Sequence, residues 1–232
     1  MKRLLISAFI LLPFSYGMAQ QPDTVFLKDM LMAHPGLFAG ILNHPTQNEV
    51  QILYTRIDRD KNNIPHFTSY SYRLNARHYF YPASTVKLPT LIFALEKLNE
   101  LHVKGLNKNT TMITDSSFAG QTRVIRDTSA KNGLPSLGNY MKKILLVSDN
   151  DAYNRLYEFV GREEINKKLK KYHLNCTRIV GRLAIGDGGE NARHTNRIRF
   201  YKDDQLIYIK PPMVDTNNYP IHGLNLLRGK GY

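Results

Sequence analysis

Apolar residues three and four positions apart mark most of the helices that the sequence predicts. This spacing places successive apolar side chains on one face of a helix. The predicted helices cover residues 24–32, 86–101, 137–148, 153–160 and 165–172. The pattern stops near Ser148 and resumes at Tyr153, which predicts two consecutive helices joined by a short turn.

Strands are predicted where apolar and polar residues alternate, the period of a half-buried strand. Residues 49–57 show this alternation, and residues 66–73 continue it after a turn-forming sequence at 58–63. The three segments together predict a β-hairpin. A second hairpin is predicted from residues 197–201 and 206–209. Loops are predicted over residues 105–135 and 181–196.

The N-terminal residues read as a secretory signal peptide over residues 1–19. Lys2 and Arg3 precede a short apolar run, and small residues up to Ala19 suit cleavage there. The apolar run is too short to span a membrane, so no stable membrane insertion is expected. We therefore expect an exported protein of the bacterial periplasm, with residues 20–232 forming one domain and acting as a monomer. The single cysteine, Cys176, excludes an internal disulfide within one chain.

The formal net charge of +13 raises the question of nucleic-acid binding. Export argues against such a partner, and the basic residues are scattered along the chain. The densest cluster, Lys167, Lys168, Lys170 and Lys171, is interpreted as a solvated helix face. The eight histidines show no metal-ligand spacing, so neither a metal nor a cofactor is expected.

One S-x-x-K sequence occurs in the chain, at Ser84 and Lys87, where an extended segment meets the helix over 86–101. Residues i and i+3 share a helix face, so the Lys87 amine would reach the Ser84 hydroxyl. A serine hydroxyl needs such a base to become a nucleophile, and a buried lysine can be neutral. Unpaired N–H groups at the helix start would stabilise an oxyanion. The alternative is a helix-capping serine followed by a solvated lysine.

A second triplet, Ser148-Asp149-Asn150, falls in the predicted turn between two helices. Asp149 suits a structural role there, because a carboxylate at this position caps the following helix. Without Ser84 and Lys87, a capped interhelical turn would explain the whole triplet. The order of the two motifs makes a catalytic interpretation more specific than either motif alone.

With both motifs in this order, the chain resembles the penicillin-recognising serine hydrolases, the class A β-lactamases and penicillin-binding proteins. The resemblance implies an α+β fold in which an α/β sandwich lies beside a helical lobe. It also implies that Ser84 is the acylated nucleophile and Lys87 its base or proton relay. Ser148 would pass a proton to the leaving nitrogen, and Asn150 would bind the substrate amide. The implied substrate is a β-lactam or a cell-wall peptide.

Hydrolysis of the acyl-enzyme requires a base for water, which in class A enzymes is a loop glutamate. Glu190 is the candidate here, although its surroundings lack the usual E-x-x-L-N sequence, and a surface carboxylate is the alternative. The K-T-G motif of the family is absent. We therefore expect the C-terminal strands of the sheet to be missing and the chain to be part of a longer protein. The alternatives to a β-lactamase are a peptidoglycan acyl-transfer enzyme and a non-catalytic, truncated envelope protein.

Overall fold

The computed structural model describes residues 22–75, 78–186 and 189–219. The predicted signal peptide at residues 1–19 lies outside these ranges. The chain divides between His78 and Tyr79 into two units, each of which has its own internal contacts.

The first unit contains two helices and a hairpin. They are α1 (Val25–Met32), α2 (Pro35–Asn43), β1 (Ile52–Arg59) and β2 (Pro65–Tyr72). The strands are antiparallel and pair from Ile52 with Tyr72 to Arg59 with Pro65, which confirms the predicted hairpin. In the turn, Asp60 Oδ1 accepts hydrogen bonds from the backbone N–H groups of Asn62 and Ile64.

Helix α1 packs on the hairpin through Phe26 and Tyr70, whose ring centroids are 4.6 Å apart. This helix confirms the prediction over residues 24–32, whereas α2 was not predicted. Within the described ranges, no single helix is long and apolar enough to cross a membrane. By length and composition, α1 and α2 pass that test only as a pair bent by 119°.

Within the described residues, the second unit has four α-helices and two small sheets of short strands. Its helices are α3 (Lys87–Glu100), α4 (Leu137–Val147), α5 (Asn150–Val160) and α6 (Arg162–Lys171). Its strands are β3 (Thr111–Thr114), β4 (His194–Thr195), β5 (Ile198–Lys202), β6 (Gln205–Lys210) and β7 (Met213–Val214). Strands β3, β5 and β6 form an antiparallel sheet in the order β3-β5-β6, and β4 pairs with β7. Helices and small antiparallel sheets together make the fold α+β.

Helix α5 is the centre of the second unit. Every residue from Ala152 to Val160 is buried, which is the pattern of a helix surrounded by protein. It packs against α3, α4 and α6, and Phe159 meets Phe200 of β5 edge to face at 5.6 Å. Each large apolar side chain buried in this way stabilises the fold by about 1.5–3 kcal/mol. The predicted helices of this region are confirmed.

Gly161 allows α5 to pass directly into α6. Its φ of 93° lies where residues with a side chain are strained. A Cβ added there would also come within 3.3 Å of the Met213 side chain. The positive φ of the turn therefore favours glycine, whereas the contact with the flexible end of Met213 would need only a small shift of that side chain.

The lysine cluster on α6 is not simply a solvated face. Lys168 is only 6% exposed, and its Nζ lies 3.0 Å from Glu100 Oε1 and 3.2 Å from Glu96 Oε2. Lys171 also pairs with Glu96, at 2.9 Å. The interpretation of this cluster as solvent-facing was wrong for Lys168, because its partners lie on α3, far away in sequence.

Candidate active site

Ser84 lies in a 3-10 turn, Ala83–Val86, that leads directly into α3. Ala83 enters the turn with a φ of 46°, an uncommon conformation for a residue with a side chain. Lys87 is the first residue of α3, and its Nζ donates a hydrogen bond to Ser84 Oγ over 3.1 Å. The predicted reach of the lysine to the serine is confirmed. Ser84 belongs to the 3-10 turn rather than to the α-helix itself.

The turn between α4 and α5 positions the second motif. Ser148 ends α4 in the left-handed conformation, with a φ of 53°. Asp149 is extended, and its Oδ1 accepts the backbone N–H of Ala152 over 2.8 Å. This contact confirms that Asp149 caps α5. Asn150 is the first residue of α5 and is exposed to solvent.

Lys87 joins the two motifs. Besides Ser84, its Nζ donates to Ser148 Oγ over 2.9 Å and to the Ser148 backbone oxygen over 2.5 Å. These three acceptors match the three protons of an ammonium group. Lys87 is only 3% exposed, whereas both serines are exposed. The site therefore consists of two accessible hydroxyls above one buried amine.

Burial increases the fraction of Lys87 that carries the neutral amine rather than the ammonium. Desolvation lowers its pKa, and the negative charge of Asp149 partly opposes this shift. Lys143 on α4 lies between two carboxylates, 3.5 Å from Asp149 and 3.9 Å from Asp127. Lys143 was not predicted as part of this site, since nothing in its local sequence indicates these contacts.

Glu190 immediately precedes a 3-10 turn, Asn191–Arg193. Its side chain is 66% exposed, and Oε1 lies 3.0 Å from His194 Nε2. Oε2 is 3.7 Å from Arg193 Nε, and the His194 ring stacks on Phe118. Among the hydrogen bonds of the described residues, none joins Glu190 to either serine of the site or to Lys87.

A buried ionic network that was not predicted from the sequence contacts the residues that follow Glu190. It is centred on Glu158 of α5, which is 2% exposed and bonded to Arg182. The available signal was a carboxylate between Tyr157 and Phe159, inside the otherwise apolar run 156–160. Such a residue indicates a buried partner, because an unpaired charge is costly in a protein core.

Comparison with known proteins adds one finding. The sequence model of the beta-lactamase enzyme family matches residues 41–204. The chain belongs to the beta-lactamase enzyme family. The matched range contains both motifs and Glu190, so this beta-lactamase family member carries its candidate site within the recognised region. No curated protein and no solved structure matches the chain. Membership supports a serine hydrolase of the β-lactamase and transpeptidase type.

Among the residues that the structure describes, no group of three histidine, cysteine or acidic side chains is placed to hold a metal ion.

Proposed function

We propose that this protein is a serine β-lactamase that opens the lactam ring through an acyl-enzyme on Ser84. One observation carries the proposal: a single buried amine, Lys87, touches the hydroxyls of both Ser84 and Ser148. An amine bonded to both hydroxyls can relay a proton from one serine to the other. General-base assistance of this kind contributes roughly 10²–10⁴-fold to a reaction rate.

In the acylation step, neutral Lys87 accepts the proton of Ser84 Oγ, and Oγ attacks the lactam carbonyl carbon. The C–N bond breaks, and Ser148 Oγ donates its proton to the leaving nitrogen. The Lys87 ammonium then returns a proton to Ser148, which restores both groups. The depressed pKa of Lys87 favours the neutral amine that begins the cycle.

Two further groups are proposed to bind the substrate. The backbone N–H of Thr85 is taken by the Pro82 carbonyl, so the N–H of Ser84 is the candidate oxyanion donor in this turn. Asn150 is exposed at the first position of α5, two residues after Ser148. Its side-chain amide is proposed to bond the amide that flanks the reacting carbonyl.

Deacylation is proposed to use Glu190 as the base that activates water. Water attacks the ester carbonyl carbon and its proton passes to the Glu190 carboxylate. The ester bond to Ser84 Oγ then breaks, and the proton returns from Glu190 to Oγ through water, which restores the serine hydroxyl and the carboxylate. The segment 189–196 that carries Glu190 belongs to the same unit as Ser84.

A second candidate function is acyl transfer on cell-wall peptides, by an enzyme that binds penicillin without hydrolysing it efficiently. The contacts of Glu190 favour it, since its carboxylate meets His194 and Arg193 rather than the reacting serine. A non-catalytic role has less support, because Ser84, Lys87 and Ser148 are assembled in bonding distance.

We also propose that residues 1–19 direct export to the periplasm and that the mature protein acts there as a monomer. The support is the charged start, apolar run and small residues before position 20. N-terminal sequencing of the exported chain would show cleavage after Ala19. An exported chain that still begins with residues 1–19 would contradict the proposed signal peptide.

The test of the proposed function is the intact mass of the mature chain after brief exposure to a penicillin. We expect one adduct, lost in Ser84→Ala and kept in Ser116→Ala, which removes an exposed serine of the same unit. Decay of the adduct to free enzyme supports the lactamase, whereas a persistent adduct supports the acyl-transfer enzyme. An adduct that survives in Ser84→Ala would refute both.

A further inference from the structure

Glu158 places a carboxylate near the C-terminal end of α5, in the stretch from Ala152 to Val160 that is buried throughout. Its Oε1 accepts Arg182 Nε over 3.0 Å, and its Oε2 accepts Asn196 Nδ2 over 2.8 Å. Arg155 of the same helix adds a charge 3.7 Å from Oε1. Removing one partner of a buried charge is strongly destabilising, so such groups hold each other in fixed positions.

Both loop partners of Glu158 act on the segment that follows Glu190. Arg182 Nη1 donates to the Asn191 carbonyl over 3.1 Å, and Nη2 donates to the His194 carbonyl over 2.5 Å. These carbonyls flank the 3-10 turn that begins after Glu190. The Arg182 guanidinium therefore links the Glu158 carboxylate to both ends of that turn.

Further bonds fix the same segment to its surroundings. Tyr157, the neighbour of Glu158 on α5, donates its hydroxyl to the Ala192 carbonyl over 3.0 Å. Asn196 uses its Oδ1 to accept the Ser117 N–H over 2.9 Å. The side chain of Gln121 donates to the His194 carbonyl over 3.0 Å. The segment is held from one side by α5 and from the other by residues 117–121.

The acylation groups have separate supports. Lys87 and Ser84 belong to α3 and its leading turn, and Ser148 is fixed by the end of α4 and by the Asp149 cap. In the described part of the chain, the polar contacts of Glu158 are with Arg155, Arg182 and Asn196 and with none of the acylation groups. A substitution of Glu158 should therefore alter the position of Glu190 more than the position of Ser84.

We propose that Glu158 is a positioning residue that fixes segment 189–196 against α5 and thereby governs hydrolysis of the acyl-enzyme rather than its formation. The second half of this inference rests on the proposed function and on the role of Glu190. The first half is a statement about the fold alone, so the two can be tested separately.

The first test is hydrogen–deuterium exchange of the full chain, comparing wild type with Glu158→Gln. Glutamine keeps the size of the side chain but loses the ion pair with Arg182 and turns an amide toward a donor. We expect exchange in residues 189–196 to accelerate roughly tenfold or more, with little change over residues 87–100. The matched control is Glu164→Gln, because Glu164 is an ionic residue of α6 whose partners are Lys97 and Lys168. Glu164→Gln should leave the exchange rate of residues 189–196 unchanged.

The second test measures formation and decay of the penicillin adduct on the same variants. In Glu158→Gln the acylation rate should stay within about threefold of wild type, while the adduct should live roughly tenfold longer or more, since small displacements of a reacting group cost large factors. Should Glu158→Gln fail to fold, Asn196→Ala removes one loop partner and keeps the pair with Arg182. The same shifts in exchange and adduct lifetime are expected of it.

Unchanged exchange in residues 189–196 would overturn the positioning role. Faster exchange together with equal slowing of acylation and deacylation would overturn the selective effect on hydrolysis. If wild type forms no adduct, the proposed function fails and the effect on hydrolysis fails with it. The exchange result then still decides whether Glu158 positions the segment.

Discussion

Lys87 Nζ donates a hydrogen bond to Ser148 Oγ over 2.9 Å, although 61 residues separate them in the chain. This contact ties the start of α3 to the turn between α4 and α5. The amine is buried and the two serines it meets are exposed. One buried amine therefore contacts two hydroxyls, an arrangement that an isolated helix cap would not need.

Replacing Lys87 by methionine should abolish acylation while keeping much of the buried side-chain volume. We expect the acylation rate by a penicillin to fall roughly 10²–10⁴-fold, the usual contribution of a positioned base. Lys87→Arg should fail as well, because a guanidinium does not deprotonate in proteins. The measurement is the rate of adduct formation by mass, with Lys142→Met, an exposed lysine of α4, as the control. Wild-type acylation by Lys87→Met would remove the lysine from the mechanism.

The pH dependence of acylation should report the titration of Lys87. The neutral amine is the active form, so the rate should rise with pH and level off below the ordinary lysine value of 10.5. The charge of Asp149 raises the Lys87 pKa, hence Asp149→Asn should move this limb to lower pH. Asparagine is also a good N-cap, so the helix should be kept. A limb that moves to higher pH in Asp149→Asn would contradict this electrostatic account.

Local patterns were sufficient for most helices and for both hairpins, because period and turn chemistry are short-range properties. Strand β3 was not predicted, because its four residues lie in a loop-rich stretch and pair with β5, which is distant in sequence. Helix α2 was not predicted, because Gly36 and Gly40 lower the helix propensity of its sequence. The ion pair of Lys168 with Glu100 could not be predicted from the sequence of α6 alone, because Glu100 lies on α3.

For the site, the spacing of Ser84 and Lys87 predicted their contact from helix geometry alone. The contact of Lys87 with Ser148 was not predicted, since no local rule joins residues on α3 to a turn after α4. The resemblance to a family implied only that both residues act on the same substrate. Glu158 and Arg182 were not identified, because buried pairing depends on the tertiary fold. The role of Glu190 stays a prediction.

Substitution of Glu190 by glutamine should trap the acyl-enzyme if Glu190 activates water. We expect acylation to continue and deacylation to slow by roughly 10²-fold or more, as for loss of a general base. The same loop carries a second carboxylate, Asp187, which lies outside the described residues. Asp187→Asn is therefore the informative comparison, measured by adduct lifetime under the same conditions. A trapped adduct in Asp187→Asn and normal turnover in Glu190→Gln would transfer the role to Asp187.

Lys210 should make the stability of the protein depend on pH around neutrality. Its side chain is 1% exposed and donates to Thr195 Oγ1 and to the Asn196 carbonyl. Burial, with a smaller contribution from the charge of Lys97, lowers its pKa to about 7 from 10.5. Between these values the unfolded chain binds a proton that the folded chain has released. Stability should therefore rise with pH across this window, by at most about 1.4 kcal/mol per pH unit.

Chemical denaturation of wild type and Lys210→Met at pH 6 and pH 9 measures this effect. The gain in unfolding free energy from pH 6 to pH 9 should be smaller in Lys210→Met, since methionine has no proton to exchange. Lys202→Met, on the exposed end of β5, should keep the wild-type gain. Lys210→Met loses two hydrogen bonds but also removes the cost of burying a charged amine, so the pH difference and not the absolute stability is diagnostic. Equal gains in all three proteins would show that Lys210 does not titrate in this range.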